Sequence, residues 1–208
     1  KAYLTPQRNS LDEQFNQTWY NNLRFILTYD KNINDNHHIT LMGGYQQEDQ
    51  SYKYLNAYRE VFLLPEFQEI NAGNSENQQN GGSSSVWALK SYFGRVNYNY
   101  QGKYLFEDNA RYDGSSRFAT GNKYAFFPSF SAGWRISEES FMAATRDVIT
   151  DMKFRASWGR LGNQSIGTYP SSSAISLGST NYNFGNNLYT GAALTTMANS
   201  EIKWETTT

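Results

Sequence analysis

Histidine is the side chain most often used for catalysis and metal binding near neutral pH. This chain of 208 residues has two, His37 and His38, and no cysteine. Neighbouring side chains on a β-strand point to opposite faces, so the two imidazoles are not expected to share a metal ion. The lack of cysteine excludes disulfides and thiolate chemistry from this stretch, and two adjacent histidines do not provide a Ser-His-Asp arrangement. The sequence therefore predicts no catalytic residue, no metal site and no cofactor, and it indicates that the chain is not an enzyme.

The overall charge is nearly balanced, with 18 basic and 19 acidic side chains. The chain therefore lacks the positive field with which proteins bind nucleic acid independently of its sequence, so no nucleic acid partner is expected. Aromatic residues make up 16% of the chain, yet the mean hydropathy is -0.71 and no apolar run approaches the ~20 residues of a membrane helix. This combination is typical of a transmembrane β-barrel, in which each strand has one face toward lipid and one toward a polar lumen.

Strict alternation of apolar and polar residues provides the elements of such a barrel. It is clearest in residues 126–136, where the even positions are mostly apolar and the odd ones mostly small or polar. The same pattern predicts about seven strands, near residues 17–30, 37–48, 85–100, 103–113, 126–137, 150–160 and 200–208. A short helix and an irregular link are equally expected for residues 138–150. A soluble strand with one buried face also alternates, so periodicity alone does not identify a membrane environment.

The connections between these strands differ strongly in length. Those at residues 30–36 and 101–103 are short, whereas those at 48–85, 113–125 and 162–200 are long and rich in Asn, Gly, Ser and Gln. Outer-membrane barrels have short periplasmic turns and long extracellular loops, so this asymmetry orients the chain. Within the first long connection, residues 54–67 are expected to pack as a lid over their own loop.

Three stretches together carry a family signature, namely residues 92–118, 127–139 and 153–164. They contain Arg111-Tyr112-Asp113-Gly114-Ser115-Ser116-Arg117-Phe118, then Phe127-Pro128-Ser129-Phe130-Ser131-Ala132-Gly133-Trp134-Arg135, then Lys153-Phe154-Arg155-Ala156-Ser157-Trp158-Gly159. In order and spacing they resemble the barrel region of the SusC/RagA family of TonB-dependent outer-membrane transporters. The resemblance covers about residues 91–169, and Ile202–Thr206 resembles the next strand of that family.

The resemblance implies an all-β fold in which residues 1–208 are part of one TonB-dependent receptor β-barrel domain. That part would be an antiparallel transmembrane portion of a larger plugged barrel, without the plug and N-terminal domains. It also implies a nutrient importer in the outer membrane of a Gram-negative, Bacteroidetes-like cell. The expected substrate is an oligosaccharide or a peptide, and the expected partners are TonB, a SusD-like surface lipoprotein and outer-membrane lipid. Residues 1–6 lack the features of a signal peptide, which is expected to be removed or to lie outside this stretch.

Eight residues are candidates for substrate contact because they lie in loops or on the expected luminal face: Trp87, Arg95, Arg111, Asp113, Arg117, Tyr169, Tyr182 and Tyr189. Each has a structural alternative. Luminal cations, including Lys153 and Arg155, can pair with carboxylates across strands, and the Asp-Gly-Ser-Ser stretch favours a turn closed by side-chain-to-backbone hydrogen bonds. For the luminal charges and for the Asp-Gly-Ser-Ser stretch, the structural interpretation is favoured over substrate contact. The remaining strand tryptophans are assigned to lipid or its interface: Trp19, Trp134, Trp158 and Trp204.

Asp108 departs from the pattern because alternation places it on the lipid side. A charge at the bilayer midplane costs ~2–4 kcal/mol for Arg or Lys and less for Asp. Asp108 can therefore lie near an interface, pair with a neighbour, or mark a β-bulge that shifts the register.

A second hypothesis for the whole chain is a soluble or surface-exposed β-rich module that binds glycans. It predicts that Phe130, Ala132, Trp134, Phe154 and Ala156 are packed in a closed two-sheet core. The transport hypothesis predicts that the same side chains form an exposed apolar belt.

Overall fold

The computed structural model describes residues 8–208, which are mostly antiparallel β-structure. Their strands are β1 (Ser10–Ile33), β2 (His37–Phe62), β3 (Gly73–Tyr100), β4 (Tyr104–Ser115), β5 (Tyr124–Arg135), β6 (Lys153–Gly159), β7 (Leu161–Asn163), β8 (Ala174–Phe184), β9 (Asn187–Thr196) and β10 (Glu205–Thr207). Short 3-10 helices occupy Ile70–Ala72, Ile136–Glu138 and Ser140–Thr145. Within residues 8–208, no helix is long and apolar enough to cross a membrane.

Hydrogen bonds join β1 to β6 in one sheet in sequence order, while β7 pairs with β10 and β8 pairs with β9. This is the meander that antiparallel strands form when short connections join them. The described residues divide into two compact units, one of residues 8–21 and 49–86 and the other of residues 22–48 and 87–208. Strands β1, β2 and β3 contribute residues to both.

The second unit contains a regular ladder from β3 to β6. Cross-strand partners include Tyr92↔Tyr112 and Tyr112↔Phe126, then Tyr100↔Tyr104 and Tyr104↔Trp134. Directly opposed residues lie on the same face of a sheet. The apolar positions of the four strands therefore form one continuous face, and the polar positions form the other. The resulting apolar face comprises Tyr92, Val96, Tyr98, Tyr100, Tyr104, Phe106, Tyr112, Phe126, Phe130, Ala132, Trp134, Phe154, Ala156 and Trp158. The opposite, polar face comprises Arg95, Asn97, Asn99, Glu107, Asn109, Arg111, Ser129, Ser131, Lys153, Arg155 and Ser157.

The apolar face is open to its surroundings. Phe130 is 43% exposed, Trp134 39% and Phe154 56%, and Ala132 and Ala156 are exposed as well. The closed two-sheet core that a soluble module requires is therefore not formed by these residues. The exposed apolar belt predicted by the transport hypothesis is confirmed.

The predicted short turns are present and tight. Asn34 has a φ of 59° in the β1–β2 turn, and Gln101 and Gly102 have φ values of 54° and 68° in the β3–β4 turn. Positive φ values at two successive residues match the twist of the antiparallel strands that a hairpin turn joins. The backbone N–H of Gln101 donates to Asn36 O at 2.7 Å, which joins the two turns.

The prediction of a long loop at residues 48–85 is wrong. Strands β2 and β3 continue through most of it, and only residues 63–72 connect them. The lid expected at residues 54–67 is also wrong, because β2 continues to Phe62. Where water covers both faces of a strand, both faces can carry polar side chains. Such strands still pair through their backbones, but their sequence shows no alternation of apolar and polar residues. In this first unit the contacts are accordingly polar, as in the ion pair of Arg8 with Glu60 at 2.8 Å.

Other elements match the predictions in part. The 138–150 segment forms 3-10 turns within an irregular link. The 162–200 region is not one loop, since it contains the β8–β9 hairpin. The strand predicted at 200–208 is limited to β10, which pairs with β7 through Glu205↔Asn163.

Candidate functional site

The polar face of β3–β6 contains a hydrogen-bonded chain between a cation and a carboxylate. Arg95 Nε donates to Asn109 Oδ1 at 2.6 Å, and Asn109 Nδ2 donates to Glu107 Oε1 at 2.8 Å. Arg95 and Asn109 are direct register partners. The amide thus separates the two charges, so Arg95 retains donors that can reach a ligand.

Arg111 and Asp113 form an ion pair near the far end of β4. Arg111 Nη2 lies 3.0 Å from Asp113 Oδ1 and donates to Ser91 Oγ at 3.1 Å. Its guanidinium also lies over the Phe93 ring, 5.6 Å from the centroid, where a cation is attracted by the aromatic face. Asp113 is only 8% exposed. These contacts fasten β4 to β3, and they leave the exposed part of the Arg111 side chain facing solvent.

The predicted cross-strand ion pairs are not formed by the luminal charges of the described residues. Arg111 pairs within its own strand, and Arg135 lies 3.5 Å from Asp151 in the link after β5. Their backbones pair with β5, but the side chains of Lys153 and Arg155 make no hydrogen bond or ion pair with the side chains that the structure describes. Both line a depression of about 370 Å³ on the polar face.

The turn predicted at the Asp-Gly-Ser-Ser stretch begins later than expected, because Asp113, Gly114 and Ser115 still belong to β4. Side-chain-to-backbone hydrogen bonds close it. Ser115 Oγ accepts a hydrogen bond from the Arg117 N–H at 3.2 Å, and Ser116 Oγ accepts one from the Ala88 N–H at 2.8 Å. The Arg117 guanidinium lies 5.5 Å from the Trp87 ring centroid and donates to Ile166 O. Two candidate residues, Trp87 and Arg117, are therefore in contact, and the contacts of Arg117 are structural ones.

A small aromatic core lies behind this turn. Phe118 is 1% exposed, and Phe127 and Trp204 are 8% exposed. The Trp204 ring centroid lies 5.2 Å from each of the two phenylalanine rings, and its Nε1 donates to Lys123 O at 2.8 Å. The assignment of Trp204 to lipid is therefore wrong. The alternating pattern predicts a strand that includes Trp204, but the strand begins only at Glu205. The Trp204 side chain therefore does not follow the strand alternation and turns inward.

The β8–β9 hairpin presents a cluster of exposed rings. Tyr182 and Tyr189 are register partners, and Phe184 lies 5.9 Å from Tyr189 and 6.3 Å from Tyr182 between ring centroids. The three side chains are 50%, 54% and 65% exposed for Tyr182, Tyr189 and Phe184. Such rings can stack on the apolar faces of sugars or on other aromatic groups. Sequence reasoning missed Phe184, because Asn and Gly residues around it favour a loop.

Tyr169, the remaining candidate, lies in the irregular segment between β7 and β8 with a φ of 62°. Ser172 N–H donates to its carbonyl at 3.0 Å, which closes a turn. The structure thus joins the candidates as pairs, Trp87 with Arg117, Arg111 with Asp113 and Tyr182 with Tyr189. It does not gather all eight around one cavity. Their role in substrate contact stays a prediction.

The end of the sheet with short turns carries a different cluster. Glu139 Oε1 accepts hydrogen bonds from Tyr104 Oη at 2.7 Å and from Trp134 Nε1 at 3.0 Å, and Lys103 Nζ lies 3.6 Å from Glu139 Oε2. The hydrogen bond from Tyr104, followed by that from Trp134 and the charge of Lys103, holds the pKa of Glu139 below its ordinary value. Aromatic rings with one apolar side and one polar tip are typical of a membrane–water interface.

The two histidines have separate environments, as predicted. His37 Nδ1 lies 2.7 Å from the Tyr98 hydroxyl, whereas His38 Nε2 lies 3.0 Å from Asp30 Oδ2. Within the part of the chain that the structure describes, no three His, Asp or Glu side chains are grouped to hold a metal ion.

An exposed apolar face, an opposite polar face and aromatic residues at the ends of the strands define the wall of a transmembrane β-barrel. Residues 2–208 match the family described as TonB dependent receptor-like, beta-barrel. The chain belongs to this family, which places it in the cell outer membrane.

Similar proteins include TonB-dependent receptor P3 of Formosa agariphila, 38% identical over 181 residues, which is 86% of this chain and 18% of that protein. TonB-dependent receptor SusC of Bacteroides thetaiotaomicron is 40% identical over 123 residues, which is 58% of this chain and 12% of that protein. The chain therefore spans less than a fifth of the length of either relative.

A solved structure of the RagAB peptide transporter has a similar fold, with a TM-score of 0.84 and 22% identity over 95% of this chain and 21% of that one. The resemblance to the SusC/RagA family is confirmed.

Proposed function

We propose that this chain supplies part of the wall and extracellular loops of an outer-membrane importer driven by force that TonB transmits. All of residues 1–208 then belong to one barrel domain, whose plug and TonB-contacting segment are supplied by the rest of the protein. The observation that carries the proposal is the two-sided sheet of β3–β6. Lipid covers the apolar face, and the polar face lines an aqueous path.

The substrate is an oligosaccharide or a peptide. The description of RagAB as a peptide transporter supports a peptide. The exposed rings of Tyr182, Phe184 and Tyr189 support an oligosaccharide, because pyranose rings stack on aromatic side chains. A SusD-like surface lipoprotein assists capture at the extracellular side, and the eight candidate residues contact the substrate during capture or passage.

The experiment that tests this proposal is uptake of fluorescent oligosaccharides and peptides by cells with and without the full-length gene. Uptake is expected to require both the gene and an energised inner membrane, since passage through a plugged barrel needs transmitted force. A matched strain with a deletion in TonB should retain the receptor in the outer membrane but lose uptake. Recovery of the receptor in the soluble fraction, or uptake that persists without TonB, would contradict the proposal.

A further inference from the structure

Strand β6 presents two cations on the polar face without a partner. Lys153 and Arg155 are two residues apart, so about 6.6 Å separates their Cα atoms on one face of the strand. Both side chains are exposed, and neither makes a hydrogen bond or ion pair with the side chains that the structure describes. By contrast, Arg95 is bound by Asn109 and Arg111 by Asp113. Lys153 and Arg155 thus place two adjacent positive charges on this face, in addition to that of Arg95, which is held by a neutral amide.

The surroundings leave room for a ligand beside the two cations. Gly133 is the register partner of Arg155, and a Cβ at Gly133 would come within 2.9 Å of Lys153 Cε. Its lack of a side chain thus leaves space for the lysine, and Ser131 beside it is also small. The depression of about 370 Å³ is lined further by Asn97 and Asn99, whose amides can donate hydrogen bonds.

The carboxylate in this depression does not neutralise the cations. Glu107 lines it as well, but its Oε1 accepts from Asn109 and it forms no ion pair with either residue. Glu107 lies on β4, and β5 separates it from β6. Two adjacent strand spacings amount to about 9.5 Å, so Glu107 and the two cations project from strands that are not neighbours.

We propose that Lys153 and Arg155 bind a carboxylate carried by the transported substrate. A guanidinium offers two parallel N–H groups that match the two oxygens of a carboxylate, and the ammonium adds a compact charge beside them. Unpaired cations on a confined polar wall also raise the local concentration of anions. The substrate class is therefore an acidic oligomer, with the carboxylate supplied by a uronic acid or by an acidic peptide. This inference rests on the proposed function, because only a substrate that passes the polar face can reach the pair.

The test uses purified full-length receptor and equilibrium binding of matched fluorescent probes. One pair is a galacturonic acid trisaccharide and its neutral galactose counterpart. The other pair is an aspartate-containing pentapeptide and the same peptide with asparagine. The wild type is expected to prefer an acidic probe over its neutral counterpart, and the pair in which this occurs identifies the source of the carboxylate.

The double variant Lys153→Gln/Arg155→Gln is expected to bind the preferred acidic probe at least about tenfold more weakly, with neutral probes unchanged. Its binding should also lose most of its dependence on salt. Lys153→Arg/Arg155→Lys should retain the preference. The control Lys31→Gln/Arg146→Gln removes the same charge at the β1 end and in the link after β5, and should bind as the wild type does.

Two results overturn the inference. One is a wild type without preference for either acidic probe, and the other is a double variant that loses acidic and neutral probes equally, as it would if the pair held another part of the receptor. Equilibrium binding does not require TonB. Selective binding without energised uptake would therefore contradict the proposed function alone, while energised uptake without charge preference would contradict this inference alone.

Discussion

Asp108 lies directly opposite Phe130 in the register of β4 and β5, and Val96 faces it from β3. It is the midpoint of the nine residues from Tyr104 to Tyr112, a length that matches the ~9–11 residues of a tilted transmembrane strand. Its carboxylate makes no hydrogen bond or ion pair within residues 8–208. The register passes through it without an irregularity, so the explanation by a β-bulge is wrong, and no described residue pairs with its side chain. Because Asp108 is central in this segment, we expect it at the bilayer midplane and not at an interface.

Replacement of this carboxylate should stabilise the receptor. Asp108→Val is expected to raise the free energy of unfolding in lipid vesicles by about 1–2 kcal/mol, because a midplane charge is removed from an apolar surface. Urea titration of the refolded full-length receptor measures this change. The control Glu107→Val removes the neighbouring carboxylate, which accepts from Asn109 on the polar face, and should destabilise instead. A loss of stability in Asp108→Val would mean that another part of the receptor pairs with Asp108.

The aromatic core of Phe118, Phe127 and Trp204 should control the order of the loop between β4 and β5. Phe118→Ala removes a ring that is 1% exposed and is expected to cost about 3–5 kcal/mol. Hydrogen exchange of residues 116–124 measures the effect, since the change is local. Leu188→Ala, at a side chain 71% exposed, should change exchange little. Unchanged protection in Phe118→Ala would contradict the role of this core.

The Glu139 cluster should make one end of the sheet sensitive to acid. The folded pKa of Glu139 is lowered, so its contribution to stability is present above the ordinary carboxyl pKa and is lost as the pH falls through the lowered value. Tryptophan fluorescence should report the change around Trp134 during acid titration. Glu139→Gln is expected to remove that transition and to reduce stability at neutral pH. A transition that persists in Glu139→Gln would have to come from another group.

The hairpin rings should contribute to binding without contributing to folding. Tyr182→Ala/Tyr189→Ala is expected to weaken binding of a neutral oligosaccharide several-fold, since each stacked ring contributes about 0.5–1.5 kcal/mol. Leu177→Ala is the matched control on the same hairpin, because this side chain is 78% exposed and has no ring. Isothermal titration of the full-length receptor distinguishes the two variants. Equal affinities would place the binding surface elsewhere.

Alternation was sufficient to predict strands β3 to β6 where one face is apolar, as in Phe130, Ala132 and Trp134. It failed for residues 74–85 of β3, because a strand that water covers on both sides needs no apolar positions. The same reason explains why the β8–β9 hairpin was missed, although Gly185 and Asn186 have the positive φ values of a tight turn.

The sequence was sufficient to predict which residues are candidates for the site. It was not sufficient to predict which of them contact one another. Asn109 joins Arg95 to Glu107 only because the register places it opposite Arg95. Whether the side chains of Lys153 and Arg155 have a partner likewise depends on which strand lies beside β6. The alternation of residues within a strand does not predict its neighbour. Trp204 was misplaced because the start of a short strand, here β10, is set by its partner β7.

Strand β5 is expected to cross the outer membrane with one face in lipid, and single-cysteine accessibility of the full-length receptor in cells measures this directly. The chain has no cysteine of its own, so each introduced thiol in this region reports one position. Cysteines replacing Phe130, Ala132 and Trp134 are predicted to be protected from a water-soluble maleimide in the intact membrane, because a thiol in hydrocarbon does not form the reactive thiolate, and to react once the receptor is unfolded. Those replacing Ser129, Ser131 and Gly133 are predicted to react with a water-soluble one. Equal reactivity at odd and even positions of the folded receptor, or protection of the odd positions, would show that β5 does not have one face in lipid and one in water.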